Sequence, residues 1–156
     1  MLEALILLMC IGAGTVGGIF FAFSSFIMRA LAELPATQGV AAMQRINVVV
    51  LNPVFLTLFV GTAVLGLASI VVAFFPWSNP RSPLLLTAGV SYVVGSFLVT
   101  MRCNVPLNNR LDRLDAESAD AIEFWPEYVA KWLRWNHVRT AASIATAACS
   151  ALALGY

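Results

Sequence analysis

The residues best suited to chemistry lie close together in the chain: Trp132, then Asn136, His137 and Arg139. A histidine with an ordinary pKa of about 6.5 exchanges protons near neutrality. An arginine beside amide donors stabilises a developing anion. His137 is the single histidine of the chain, so it is the candidate general base, with Arg139 and Asn136 as its catalytic neighbours. A second polar group, Arg102, Asn104 and Asn108, stands some thirty residues upstream. Asn47 and Asn52 form a third, and Ser24 with Ser25 a fourth. These make a candidate substrate-binding set, to which the ring of Trp132 adds a flat stacking surface. The bland alternatives are that Arg102 and Arg139 snorkel to an interface, that His137 bonds a carbonyl there, and that Trp125, Tyr128, Trp132 and Trp135 only anchor a helix.

The elements that must carry these groups are apolar. Hydrophobic residues make up 60% of the chain and charged ones 11%, against about 25% charged in soluble domains. Mean hydropathy is +0.86. Long apolar runs cover approximately residues 4–28, 53–75, 84–101 and 138–156. Each is long enough, at about 1.5 Å per residue, to cross most or all of a roughly 30 Å hydrocarbon layer. The expected fold is all-α: one integral membrane domain over residues 1–156, a four-helix transmembrane bundle with a short amphipathic helix in each of the first and third loops. The first run follows Met1-Leu2-Glu3, without a basic stretch or a small-residue cleavage site, and reads as retained helix.

Charge places the loops. Arg29, Arg45, Arg102, Arg110, Arg113, Lys131, Arg134 and Arg139 fall in or beside the first and third loops, and only Arg81 falls at the terminal side. The positive-inside rule then puts those two loops in the cytoplasm of a multi-pass cell-membrane protein. A net charge of +1 gives no attraction to nucleic acid. The expected partners are the lipid bilayer and a hydrophobic aromatic small molecule. Gly14 and Gly18 form a G-x-x-x-G pair for close helix packing, within one chain or between copies, so a homo-oligomer stays open.

The polar stripes run at helical spacing. Tyr92, Ser96, Thr100 and Asn104 lie four apart, and Asn136, Thr140, Ser143, Ala147 and Ser150 share a face of the last run. Pro106 is expected to end the third span, with 104–108 as a turn. Trp77 is expected at a membrane interface. The acidic residues of the third loop, Asp112, Asp115, Glu117, Asp120, Glu123 and Glu127, read as a solvated face. Cys10, Cys103 and Cys149 show no metal spacing, and one histidine cannot complete a zinc or di-iron site. No metal and no cofactor is expected; haem, or copper on Cys103, Met28, Met43 or Met101, remains an alternative without supporting spacing.

Four segments resemble the anthrone-oxygenase-like family of small integral membrane proteins, long catalogued as a domain of unknown function. They are residues 18–28 around Ser24-Ser25, 43–47 with Asn52-Pro53, Asn104-Val105-Pro106-Leu107-Asn108, and Trp132 with residues 135–140. Fungal members of that family oxidise anthrones to anthraquinones with O2. The resemblance implies a site at Asn47, Asn104, Asn108, Trp132, Asn136, His137 and Arg139, and an oxidoreductase, a cofactor-independent oxygenase, acting on a phenolic or polyketide-type substrate. The alternatives are a non-enzymatic membrane protein that binds a partner or hydrophobic ligand, and a redox protein holding haem or quinone.

Overall fold

The computed structural model describes residues 1–75 and 79–156. The expectation for Trp77 lies outside the described residues. Within them the chain is helical, without strands. Helix α1 covers Leu2–Glu33, α2 Ala36–Val49, α3 Pro53–Ala73, α4 Ser82–Asp112 and α5 Ala119–Leu154. Among the described residues α1, α3 and α4 are long and apolar enough to cross a membrane. Their outer faces expose Leu7, Leu8, Ile11, Val64, Leu67, Val71 and Val94. Apolar side chains in that number, on helices of that length, mark a membrane protein.

Local sequence sets the helix ends. Pro35 stands just before α2, and Pro53 opens α3, where a missing N–H costs nothing. Asn52 caps α3: its Oδ1 accepts from the Phe55 amide at 3.0 Å. Ser118 caps α5 in the same way, accepting from Ala121 N at 3.2 Å. Arg29 and Glu33 pair at 2.9 Å on the exposed last turn of α1, as their spacing predicts.

Two boundaries differ from the sequence expectation. Pro106 does not end α4, which continues to Asp112. The chain winds as π-helix over Thr100–Asn104, ending two residues before the proline. That wider turn displaces the carbonyl four residues back, which a proline ring meets in an α-helix. The expected third loop is also mostly helical. α5 starts at Ala119, so the segment 138–156 is the latter half of one 36-residue helix rather than a separate one. Two further π stretches occur, Phe23–Ile27 in α1 and Ser91–Leu98 in α4.

α5 is the central post, packed along α1 and α4. Gly17 allows the α1–α5 contact: a Cβ there would stand 3.2 Å from Ser143 Cβ. The Gly14–Gly18 pair does not do this work, since Gly18 meets nothing within 4 Å and Gly14 only brushes Ala147. The core falls into three layers. Ile6, Ala73, Leu85 and Ala153 close the terminal end, and Val16, Phe20, Phe59 and Tyr92 fill the middle. At the loop end Met28, Met43, Leu111, Trp125, Tyr128 and Trp132 pack together. Trp125 and Tyr128 stack there at 5.6 Å between centroids, so Trp125, Tyr128 and Trp132 are core, while Trp135 is half-buried outside that cluster. α2 roofs that end, tied down by Gln44 Nε2, which donates to the carbonyls of Leu111 and Leu114 at 2.9 Å each.

Candidate functional site

The polar stripes of α4 and α5 face each other in antiparallel register. Thr146 Oγ1 donates to Ala88 O at 3.1 Å, and Ser143 Oγ donates to Ser96 Oγ at 3.0 Å. Arg139 Nη1 donates to Thr100 Oγ1 at 3.2 Å, and Asn104 Nδ2 to Trp132 O at 3.2 Å. Successive contacts descend from mid-helix toward the loop end. The two π stretches of α4 fall on this seam and carry Ser96, Thr100 and Asn104. π segments inside α-helices recur at functional sites.

Arg139 is the centre of the arrangement. It is 4% exposed. Nη2 donates to Asn136 Oδ1 at 2.7 Å. Its guanidinium lies 4.2 Å from the Phe20 ring centroid and 5.0 Å from that of Trp132. Among the described residues no carboxylate pairs with it. Its Nε, and the Oδ1 of Asn104, are buried without a hydrogen-bond partner. Arginine holds its proton even when buried, and a buried charge without a counter-ion costs several kcal/mol.

A cavity adjoins the guanidinium. It measures about 480 Å³ and is lined by Arg139, Thr100, Trp132, Asn47, Asn108 and Asp112 on its polar side. Phe20, Phe23, Phe55, Phe59, Phe97 and Met43 supply apolar walls. That is an ordinary size for a small-molecule site. Asn108 is held by two donors, Tyr128 Oη at 2.9 Å and Trp132 Nε1 at 3.0 Å, both to its Oδ1. Burial pushes the Tyr128 hydroxyl above its ordinary range, so it stays protonated as a donor. Asn47 Nδ2 reaches Asp112 Oδ1 at 3.4 Å.

The sequence-derived residues divide into three groups. Asn47, Asn108, Trp132 and Arg139 line the cavity. Asn104, Asn136 and Ser24 stand behind it: Asn136 Nδ2 donates to Phe20 O at 2.7 Å and Ser24 Oγ at 2.8 Å, while Ser24 also meets Thr140. Four residues lie outside. Asn52 serves as the α3 cap, and exposed Ser25 bonds its own helix at Phe21 O. Arg102 is exposed. His137 is exposed on the opposite face of α5 from Asn136 and Arg139 and does not line the cavity. The helical period explains this: one and two residues away from positions 136 and 139 the side chain points elsewhere. Among the described residues no three His, Cys, Asp or Glu side chains gather as for a metal. Met28 and Met43 are packed in the core.

Sequence reading missed Asp112 and the phenylalanine walls. In the sequence Asp112 belongs to the acidic run of the third loop, and its place at the cavity depends on α4 continuing past Pro106. The phenylalanines sit in spans where every position is apolar, so spacing does not single them out.

Fold and site together define a helical membrane protein with an apolar cavity and a buried cation at one end. A family model described as anthrone oxygenase matches residues 55–149, which carry Phe59, Thr100, Asn108, Trp132, Asn136 and Arg139. The chain belongs to the anthrone oxygenase family. No curated protein and no solved structure matches it.

Proposed function

We propose that this protein is an integral membrane oxidoreductase that uses O2 to oxidise a hydrophobic phenolic aromatic of the anthrone type. The observation that carries the reading is Arg139, a buried cation without a carboxylate partner, set in the wall of an apolar cavity. An anthrone has an acidic C–H, and its carbanion is delocalised onto oxygen as a phenolate. Arg139 stabilises that oxyanion, with the amides of Asn47 and Asn108 nearby. Trp132 and Phe20 offer faces to the rings.

The proton goes to Asp112, the one carboxylate among the described lining residues, which is open to water on its outer side. The anion then passes electrons to O2. In balance, the methylene carbon loses two hydrogens and gains one oxygen as a carbonyl, and the other oxygen leaves as water. His137, exposed on the far face of α5, has no part in this scheme. No cofactor enters it.

The same reading completes the membrane architecture. The segment 138–156, nearly all of it the latter half of α5, is the fourth crossing of a four-helix bundle. Its Thr140, Ser143, Thr146 and Ser150 are buried against neighbours, while Val138, Ile144 and Leu152 face outward. The cavity end carries exposed Arg29, Arg45, Arg102, Arg110, Arg113, Lys131 and Arg134, so that end lies in the cytoplasm.

Oxygen uptake by purified protein in detergent, with anthrone and hydroxylated anthrones, tests the activity. The expected result is one O2 consumed for each quinone formed, lost in Arg139→Gln. A chromophoric phenol that binds while no anthrone is oxidised reduces the protein to a ligand carrier.

A further inference from the structure

The cavity has two rims of opposite chemistry. Asn109 and Asp112 line it and are exposed at the loop end, facing water. Leu56, Val60 and Met101 also line it, yet are 38%, 43% and 49% exposed on the outer surface. They sit on α3 and α4, within the segments long and apolar enough to cross a membrane.

Helix packing explains the second opening. α3 and α4 cross closely where Gly66 meets Gly89, with a Cβ on Gly66 3.5 Å from the Gly89 carbonyl. They still touch at Phe59 and Phe97, whose centroids are 5.5 Å apart. α3 packs mainly along Ser82–Leu98 of α4. Toward the loop end the cavity lies between α3 and α4, so the exposed Leu56, Val60 and Met101 share its lining with Arg139.

From these observations we infer that the site takes its ligand sideways from the bilayer. That ligand is an amphiphile: an acidic aromatic head sits at Arg139 and an aliphatic substituent trails through the α3–α4 gap into the acyl chains. The occupant follows from continuity. The gap is walled by apolar side chains on both sides, opens onto hydrocarbon, and ends at a cation. A tail lying in it stays in a lipid-like medium and loses no solvation. Tail length is therefore tolerated without limit, whereas a closed cavity of about 480 Å³ would reject long chains. The inference deepens the reading of the cavity as a phenolate site and rests on it.

The test uses the whole protein in lipid nanodiscs and a series of para-nitrophenols with alkyl chains from butyl to dodecyl. Their absorbance reports the bound phenolate, and concentration is expressed per lipid. The wild type is expected to bind the series with equal affinity. In Val60→Trp, which fills the gap, the long-chain to short-chain affinity ratio is expected to fall about tenfold. Val64→Trp, one turn away on the lipid face and outside the cavity lining, leaves the ratio unchanged. A wild type that already rejects dodecyl chains overturns the proposal. So does a Val60→Trp ratio equal to that of Val64→Trp. Oxygen uptake separates the two readings: tail tolerance without O2 consumption removes only the oxidase, and O2 consumption with rejection of long chains removes only the lateral route.

Discussion

Arg139 is aimed from within its own helix: its Nη2 donates to Asn136 Oδ1, three residues earlier, at 2.7 Å. The Asn136 amide is itself turned by α1, because its Nδ2 donates to Phe20 O and to Ser24 Oγ. Ser24 lies in the π stretch Phe23–Ile27. A change in one turn of α1 is therefore transmitted to the guanidinium through a single side chain.

Asn136→Ala removes that link. It leaves one guanidinium nitrogen of Arg139 without its partner in a buried place, while Phe20 O keeps the Phe23 amide, at a cost of about 1–3 kcal/mol. The expected result is a lower melting temperature in detergent together with slower anthrone oxidation. Asn136→Ala with unchanged turnover would show that Arg139 needs no such support.

Arg139→Met separates function from stability. An arginine retained for structure destabilises the fold when it is removed. Here the charge is buried without a counter-ion, so replacement by an apolar chain of similar length relieves desolvation. The expected outcome is a melting temperature at or above that of the wild type, with turnover lower by about 10²–10³-fold. Arg139→Lys keeps the charge but not the fork that reaches Thr100 and Asn136 together, and recovers little. A sharp loss of stability in Arg139→Met would reassign the residue to the scaffold.

The seam between α4 and α5 was legible in the sequence because small and polar residues repeat at helical spacing in otherwise apolar runs. Ser96, Thr100 and Asn104 do meet Ser143, Arg139 and the Trp132 carbonyl. The gathering of Asn104, Asn136 and Arg139 toward one another, rather than toward lipid, follows from the same stripes. Pattern alone does not show the π turns, since i→i+5 winding has no residue signature, and so Pro106 reads as a turn and Asp112 as part of the loop beyond it. Composition points to His137, the lone imidazole, although helical geometry turns it away from its two neighbours.

His137→Ala is accordingly expected to keep anthrone oxidation within about twofold of the wild type. An exposed side chain away from the cavity contributes within about 0.5 kcal/mol. Initial O2 uptake rates measure this directly. A loss of a hundredfold or more in folded protein would mean that α5 turns about its axis during turnover, and would restore His137 as the base.

Asp112→Asn tests the proton acceptor, and ligand binding keeps the test independent of folding. Removing the carboxylate removes the base, so turnover is expected to fall by about 10²–10⁴-fold. It also removes a negative charge from the mouth of a cavity that holds an anion, so a nitrophenolate should bind as tightly or more tightly. Asn47, which donates to Asp112 Oδ1 at 3.4 Å, can donate to an asparagine oxygen equally well, and the roof made by α2 is retained. Asp112→Glu keeps a carboxylate at a changed reach and should restore part of the rate. Slower turnover with weaker nitrophenolate binding would mean that Asp112 shapes the cavity instead of taking the proton.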